Sequence, residues 1–164
     1  MTMTTSRKII KHDKDGNNTY VEWSDGSWYK QEYDDHGNQI HYENSDGFWE
    51  RREYDDHGNE TYRKNSTGFW AKYEYDDRGK CIYCENSRGY WQRWDYDDNG
   101  NQIHYENSTG YWEKWEYNEY NHPTHLKNSD GYWEKWEYDD CGNMTYCEDS
   151  DGFWSVISAK IFRH

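Results

Sequence analysis

Aliphatic residues are what this sequence most lacks. Between His12 and Trp154 nearly the only ones are Val21, Ile40, Ile82, Ile103 and Leu126, too few for an ordinary core of buried Val, Ile, Leu and Phe. Proline occurs once, at Pro123. No apolar run approaches the roughly 18 residues that read as a membrane-spanning helix. The opening MTMTTSRKIIK carries no secretory signal pattern. The expectation is an intracellular protein with no membrane contact, cytoplasmic, in a host cell's cytoplasm if a phage encodes it. Basic charge is also short: 19 Lys and Arg stand against 33 Asp and Glu, for a net charge of -14. That balance argues against direct nucleic-acid binding, because like charge opposes it. It permits the converse, binding to a basic protein surface that itself handles nucleic acid. Cysteine is sparse, and Cys81, Cys84, Cys141 and Cys147 fall at columns where the sequence otherwise places Gln, Tyr, Arg, His or Leu. They read as substitutions rather than a disulfide framework.

Aromatic residues are abundant. A mean hydropathy of -1.61 with 32% hydrophobic residues would suit a disordered chain, but 20% aromatic content, with 18 Tyr and 11 Trp, does not. Any core must be aromatic. These residues recur with a period of 21. YDDHGNQIHYENSDGFWERRE at Tyr33–Glu53 returns as YDDNGNQIHYENSTGYWEKWE at Tyr96–Glu116 and as YDDCGNMTYCEDSDGFW from Tyr138. Copies begin at His12, Tyr33, Tyr54, Tyr75, Tyr96, Tyr117 and Tyr138. Such a period marks a repeat architecture: a lead-in or cap over residues 1–11, seven repeats forming one domain over 12–154, and an apolar capping tail over 155–164.

Each copy holds two turn signals, Asn-Ser-Asp/Thr-Gly and Asp-Asp-x-Gly, separated by runs rich in Tyr, Trp, Phe, Ile and Thr that read as strands. The fold class is all-β: a 21-residue repeat array, an antiparallel meander with two strands per repeat, coiled as a single solenoid-like or spiral sheet around an aromatic interior. Pairing two aromatic faces in a homodimer is the alternative. Because the period is odd, two loops of equal parity would turn successive repeats over. The expectation is therefore a three-residue loop at Ser-Asp-Gly and a four-residue loop at Asp-Asp-x-Gly. That choice places Tyr111, Trp115, Tyr117, Ile103 and Tyr105 on one face, and Trp112, Lys114, Glu116, Gln102, His104 and Glu106 on the other.

The spacing Tyr33-Asp34…Gly37-Asn38…Gly47…Tyr54-Asp55, and again Tyr75-Asp76…Gly79…Gly89…Trp94-x-Tyr96-Asp97, resembles the YD (Rhs-type) repeats over about Gly16 to Trp154. The resemblance implies a β-sheet of the kind that spirals into hollow shells in toxin-delivery and cell-adhesion proteins. This chain departs from it in being far too short to enclose a cargo. At the column after the turn, normally Leu in that family, it carries Gln39, Glu60, Cys81, Gln102, Pro123 and Met144. The encapsulating function is therefore not carried over. A short, stand-alone array of this style looks like an accessory protein of a phage or mobile element.

Two rows of side chains are candidate binding surfaces. The first is an acidic stripe: Asp34 and Asp35, Asp55 and Asp56, Asp76 and Asp77, Asp97 and Asp98, Asp139 and Asp140. Its plainer reading is turn chemistry and edge solubility. The second is the row Trp28, Trp49, Trp70, Trp91, Trp112 and Trp133, continued at Trp154. It suits stacking on sugars, cations or a partner's side chains, and its plainer reading is a ladder under Lys stems such as Lys114 and Lys135. Asp13-Lys14-Asp15-Gly16-Asn17 resembles the start of a calcium loop, but no Glu completes it. Cys81 and Cys84, three apart on a strand, should point to opposite faces, against a metal or redox pair. His36, His41, His57 and His104 have no nucleophile arranged beside them. No enzyme, cofactor or metal is expected. Asn121 replaces a turn Gly and Pro123 enters a strand, which marks either local decay or an interruption that bends the array. The functional expectation is non-enzymatic binding: an inhibitor or decoy on a basic protein surface, a nucleic-acid mimic of phage type. A carbohydrate or cell-wall module and a scaffold related to YD-repeat shells are the alternatives.

Overall fold

The structure is a computed structural model that describes residues 7–156, with side chains from residue 9 onward. The chain divides into two compact units, Met1–Gly89 and Tyr90–His164. The first holds β1 (Arg7–His12), β2 (Asn18–Trp23), β3 (Trp28–Tyr33), β4 (Gln39–Asn44), β5 (Trp49–Tyr54), β6 (Glu60–Asn65), β7 (Trp70–Tyr75) and β8 (Cys81–Asn86). The second holds β9 (Trp91–Tyr96), β10 (Gln102–Asn107), β11 (Trp112–Tyr117), β12 (Pro123–Asn128), β13 (Trp133–Tyr138), β14 (Met144–Asp149) and β15 (Trp154–Val156). Within each unit the strand order is the chain order, and the described residues contain no helix. The fold is an all-β antiparallel meander with two strands per repeat, as the aromatic and β-branched runs between Gly turns dictate. The lead-in is a strand, β1. Of the expected capping tail only Ser155 and Val156 are described, in β15; the rest lies outside the described residues.

The two turns of a repeat have the same construction, contrary to the unequal loops expected. At Asn44 the backbone N–H donates to Phe48 O at 3.0 Å and receives Gly47 N–H on its own carbonyl at 3.0 Å. Asn44 Oδ1 accepts the N–H groups of Asp46 and Phe48. At Asp34 the N–H donates to Asn38 O at 2.9 Å, and Oδ1 accepts the N–H groups of His36 and Asn38. Both loops thus hold three residues between the closing pair and end on a left-handed glycine, Gly47 at φ 82° and Gly37 at φ 86°.

The missing change of parity comes from a β-bulge. Tyr33 aligns with Gln39 but Glu32 aligns with His41, leaving Ile40 without a partner. The same shift follows Tyr54, Tyr96, Tyr117 and Tyr138. One unpaired residue per repeat returns every copy to the same face. The bulge also moves the column after the turn. Gln39 Nε2 reaches Gln31 Oε1 at 2.9 Å, and Gln31 pairs with Tyr42, so this column joins the aromatic face. Gln102, expected beside Trp112, aligns instead with Tyr96. His104 pairs with Lys114 and Glu106 with Trp112, while Tyr105 pairs with Glu113 on the aromatic face, as expected; Ile103, expected beside Tyr105, is the unpaired bulge residue.

Within each unit, neighbouring repeats are tied at both ends of their strands. The N–H groups of Ser45, Ser66, Ser87, Ser108, Ser129 and Ser150 donate to the carbonyls of Trp28, Trp49, Trp70, Trp91, Trp112 and Trp133, each at 2.9 Å. The Trp N–H returns a bond to the Ser Oγ at 3.2–3.4 Å. At the opposite end, the hydroxyls of Tyr54, Tyr75, Tyr117 and Tyr138 donate to the carbonyls of Gln39, Glu60, Gln102 and Pro123 at 2.9–3.1 Å. Between these ties the aromatic rings form ladders rather than a closed interior. Among the described residues only Val21 and Ala71 are buried. Trp115 and Trp136, one repeat apart, stack at 6.2 Å with planes 3° apart.

The expected break at Tyr117–Thr124 does not occur. Asn118 N–H donates to His122 O, Asn121 N–H to Asn118 O, and Tyr117 aligns with Pro123. β12 pairs with β11 on one side and β13 on the other. Asn121 takes the glycine's left-handed conformation at φ 64°, which Asn tolerates better than most residues. Pro123 sits one pair inside the closed Asn118–His122 pair, where the alternation of an antiparallel ladder requires no N–H toward the hairpin partner. Its carbonyl is used as in the other repeats, by Tyr138 Oη.

Candidate binding surfaces

The Asp-Asp turns divide their two carboxylates between separate tasks. The first is part of the turn: Asp34, Asp55, Asp97 and Asp139 each accept two backbone N–H groups and a side-chain amide, from Asn38, Asn59, Asn101 and Asn143. The side-chain amide bond is the main cause holding these carboxyls below the usual carboxylate range. Asp76 closes its turn on the N–H groups of Arg78 and Lys80. The second carboxylate of each pair, Asp35, Asp56, Asp77, Asp98 or Asp140, is exposed at the turn tip. Asp13, expected as a possible calcium-loop residue, accepts from Asp15 and Asn17 in the same manner as Asp34. No group of three or more His, Cys, Asp and Glu side chains is arranged to hold a metal among the described residues.

The Trp row lies on the polar face and is half-buried from Trp28 to Trp133, whereas Trp154 is 67% exposed. Lysine ammoniums lie over several of its rings: Lys64 over Trp49, Lys72 over Trp70, Lys114 over Trp112 and Lys135 over Trp133, at 5.3–5.9 Å. Two of these lysines are also ion-paired, Lys72 with Glu85 at 3.7 Å and Lys135 with Glu148 at 3.6 Å. Between Trp112 and Trp133 a depression of about 410 Å³ is lined also by His125 and Lys127. Of the histidines singled out, His41 and His104 belong to this face, beside Glu32 at 3.9 Å and Asp95 at 3.2 Å. His36 and His57 are exposed turn residues.

The bulge corrects the reading of Cys81 and Cys84. Cys81 aligns with Tyr75 and Cys84 with Tyr73, so both belong to one face, not opposite ones. Burial, and then the neighbouring Cys84, raise the Cys81 thiol above its ordinary pKa.

Sequence reasoning missed three sets of residues. The Ser column was read as turn chemistry, although its invariance from Ser45 to Ser150 signals the clamp on Trp. The Tyr of each Tyr-Asp pair was read as a face residue, not as the tie to the preceding repeat. A group of arginines, Arg52, Arg63 and Arg88, stands at variable columns and gives no periodic signal.

No family model and no curated protein matches the chain. Solved structures do. The Photorhabdus luminescens Tc holotoxin pore (mutation TccC3-D651A) matches with a TM-score of 0.61 and 14% identity, over 93% of this chain and 9% of that one. TcdB2-TccC3-Cdc42 matches at 0.60 and 14%, over 96% and 10%. TcdB2-TccC3 matches at 0.60 and 13%, over 93% and 10%. The chain thus spans about a tenth of the proteins it resembles. At this identity the likeness shows the fold alone: a repeat β-sheet of the kind found in the Rhs/YD-repeat shell proteins of Tc toxins.

Proposed function

We propose that this repeat scaffold is a non-enzymatic binding protein whose Asp-Asp turn tips engage a basic protein surface, one of the kind that handles nucleic acid. The observation that carries the reading is the division of labour in the turns. Each first Asp is used by the fold, whereas Asp35, Asp56, Asp77 and Asp140 are exposed and their carboxylates accept none of the turn hydrogen bonds. Tips recurring every two strands stand about 10 Å apart, comparable to the Debye length at moderate salt, so adjacent carboxylates act together on a cationic partner. The net charge of -14 adds steering toward it. The carbohydrate alternative is less well supported, because lysines already lie over the Trp faces a sugar would need.

The test is affinity capture from a host lysate with the protein and with the triple variant Asp35→Asn/Asp56→Asn/Asp77→Asn. Captured proteins should be basic, should elute as salt rises from about 0.1 M to about 1 M, where screening shortens to a few ångströms, and should be lost from the variant. Capture that survives both changes, or recovery of glycans alone, would overturn the reading.

A further inference from the structure

The first unit carries a basic cluster on its aromatic face, opposite in charge to the chain as a whole. Arg52 and Arg63 stand directly across from each other on β5 and β6, where like charges oppose pairing. At the corresponding positions Gln31 pairs with Tyr42 and Tyr73 with Cys84, so the charged pair belongs to one repeat. Arg52 is neutralised: it donates from Nε and Nη2 to Glu50 Oε1 and has Glu60 at 3.6 Å.

Arg63 is ion-paired with the same Glu60, 3.7 Å from Nε, but without a hydrogen bond to it. Nε is shielded from solvent and bonded to nothing. The guanidinium lies 5.8 Å from the Phe69 ring centroid and 5.9 Å from that of Tyr73. Arg88, in the exposed turn after β8, brings its guanidinium to 5.8 Å from the same Phe69 ring and has no ion pair among the described residues. Two guanidiniums therefore share one phenyl ring on an open sheet face.

A guanidinium held against aromatic rings has lost rotational freedom and keeps its N–H edge for a planar acceptor, the geometry that suits bidentate carboxylate binding. The spread of the arginines from β5 to the turn after β8 fits an extended chain rather than an enclosed small molecule. We propose that Arg63 and Arg88, with Arg52 beside them, form a carboxylate-accepting site for an extended acidic peptide segment. This surface is separate from the acidic turn tips, and neither reading depends on the other.

Arginine Nε–H resonances of the isotope-labelled protein test the assignment, with capped tetraglutamate as probe and acetate and inorganic phosphate at matched ionic strength as controls. Arg63 and Arg88 should shift saturably with the peptide. Arg88→Ala, in an exposed turn that does not hold the sheet, should weaken binding roughly tenfold, the equivalent of one charge-assisted contact. Arg63→Lys should not preserve the affinity, because an ammonium has no fork. No saturable shift, or a response to phosphate equal to that to the peptide, would overturn the proposal. So would sedimentation showing that the variants abolish self-association while leaving peptide binding unchanged, since the occupant would then be a second copy of the chain.

Discussion

The tyrosine ties predict a specific loss of stability when one hydroxyl is removed. Tyr75 Oη donates to Glu60 O at 2.9 Å, and burial raises the phenol's pKa, so the bond forms where water is partly excluded. Tyr75→Phe keeps the ring and removes the donor, leaving the Glu60 carbonyl without this partner. A net hydrogen bond contributes about 1 kcal/mol, and an acceptor left partly desolvated raises the cost to about 1–2 kcal/mol. For a chain of this size that corresponds to a fall in Tm of roughly 3–6 °C. Tyr62→Phe is the control, because the Tyr62 hydroxyl makes no hydrogen bond among the described residues. In a repeat array stability is close to a sum of repeat and interface contributions, so the loss should sharpen local hydrogen exchange in β6 and β7 before it affects more distant strands. Thermal melts followed by circular dichroism, together with amide exchange, read both effects. Equal Tm values for the two variants would refute the assignment of Tyr75 as a tie between repeats.

Two further outcomes follow from the turns. The turn carboxyls Asp34, Asp55, Asp97 and Asp139 have folded-state pKa values below their ordinary ones. Their contribution is present above the usual carboxylate pKa and is lost as pH falls through the depressed values. Acid titration of stability should show that loss, and replacing all four by Asn, the residue that closes the same turn at Asn118, should flatten it. Asn121→Gly should raise stability by no more than about 1 kcal/mol, the left-handed penalty relieved, less the bond from Asn101 Nδ2 to Asn121 Oδ1 at 2.9 Å. Asn121→Ala should lower it, and thermal melts distinguish the two.

Periodic features of the fold were legible in the sequence, and features that shift register were not. The Gly columns located every turn but the one closed by Asn118 and His122, and the aromatic runs located the strands, because these signals repeat and each has a direct backbone cause. The need for a change of parity was legible too, since an odd period with identical copies demands one. Its location was not. A loop of four and a strand with one bulged residue satisfy the same count, and nothing in the residues Gln39, Ile40 and His41 declares the bulge. That one ambiguity carried two errors with it, the placing of Gln102 with Trp112 and the separation of Cys81 from Cys84. The supposed break at Pro123 failed for a related reason. Proline disrupts a ladder only where its N–H is required, and which positions require it follows from register rather than composition.

The same distinction separates the residues that build this array from those free to act. Columns that recur from copy to copy, such as the Ser that clamps Trp or the Tyr that reaches back to the preceding repeat, are already engaged in fastening one repeat to the next. Changing one weakens the sheet before it touches any partner. Side chains outside those ties can vary without such a cost, and they are where the array differs from itself: Arg52 facing Arg63, Arg88 in place of the usual Asp or Thr in its turn, the exposed second Asp of each acidic pair. In a protein whose interior is a series of ladders rather than a closed core, repetition is therefore a record of stability. Departures from it at positions bearing no tie are the places to look for recognition.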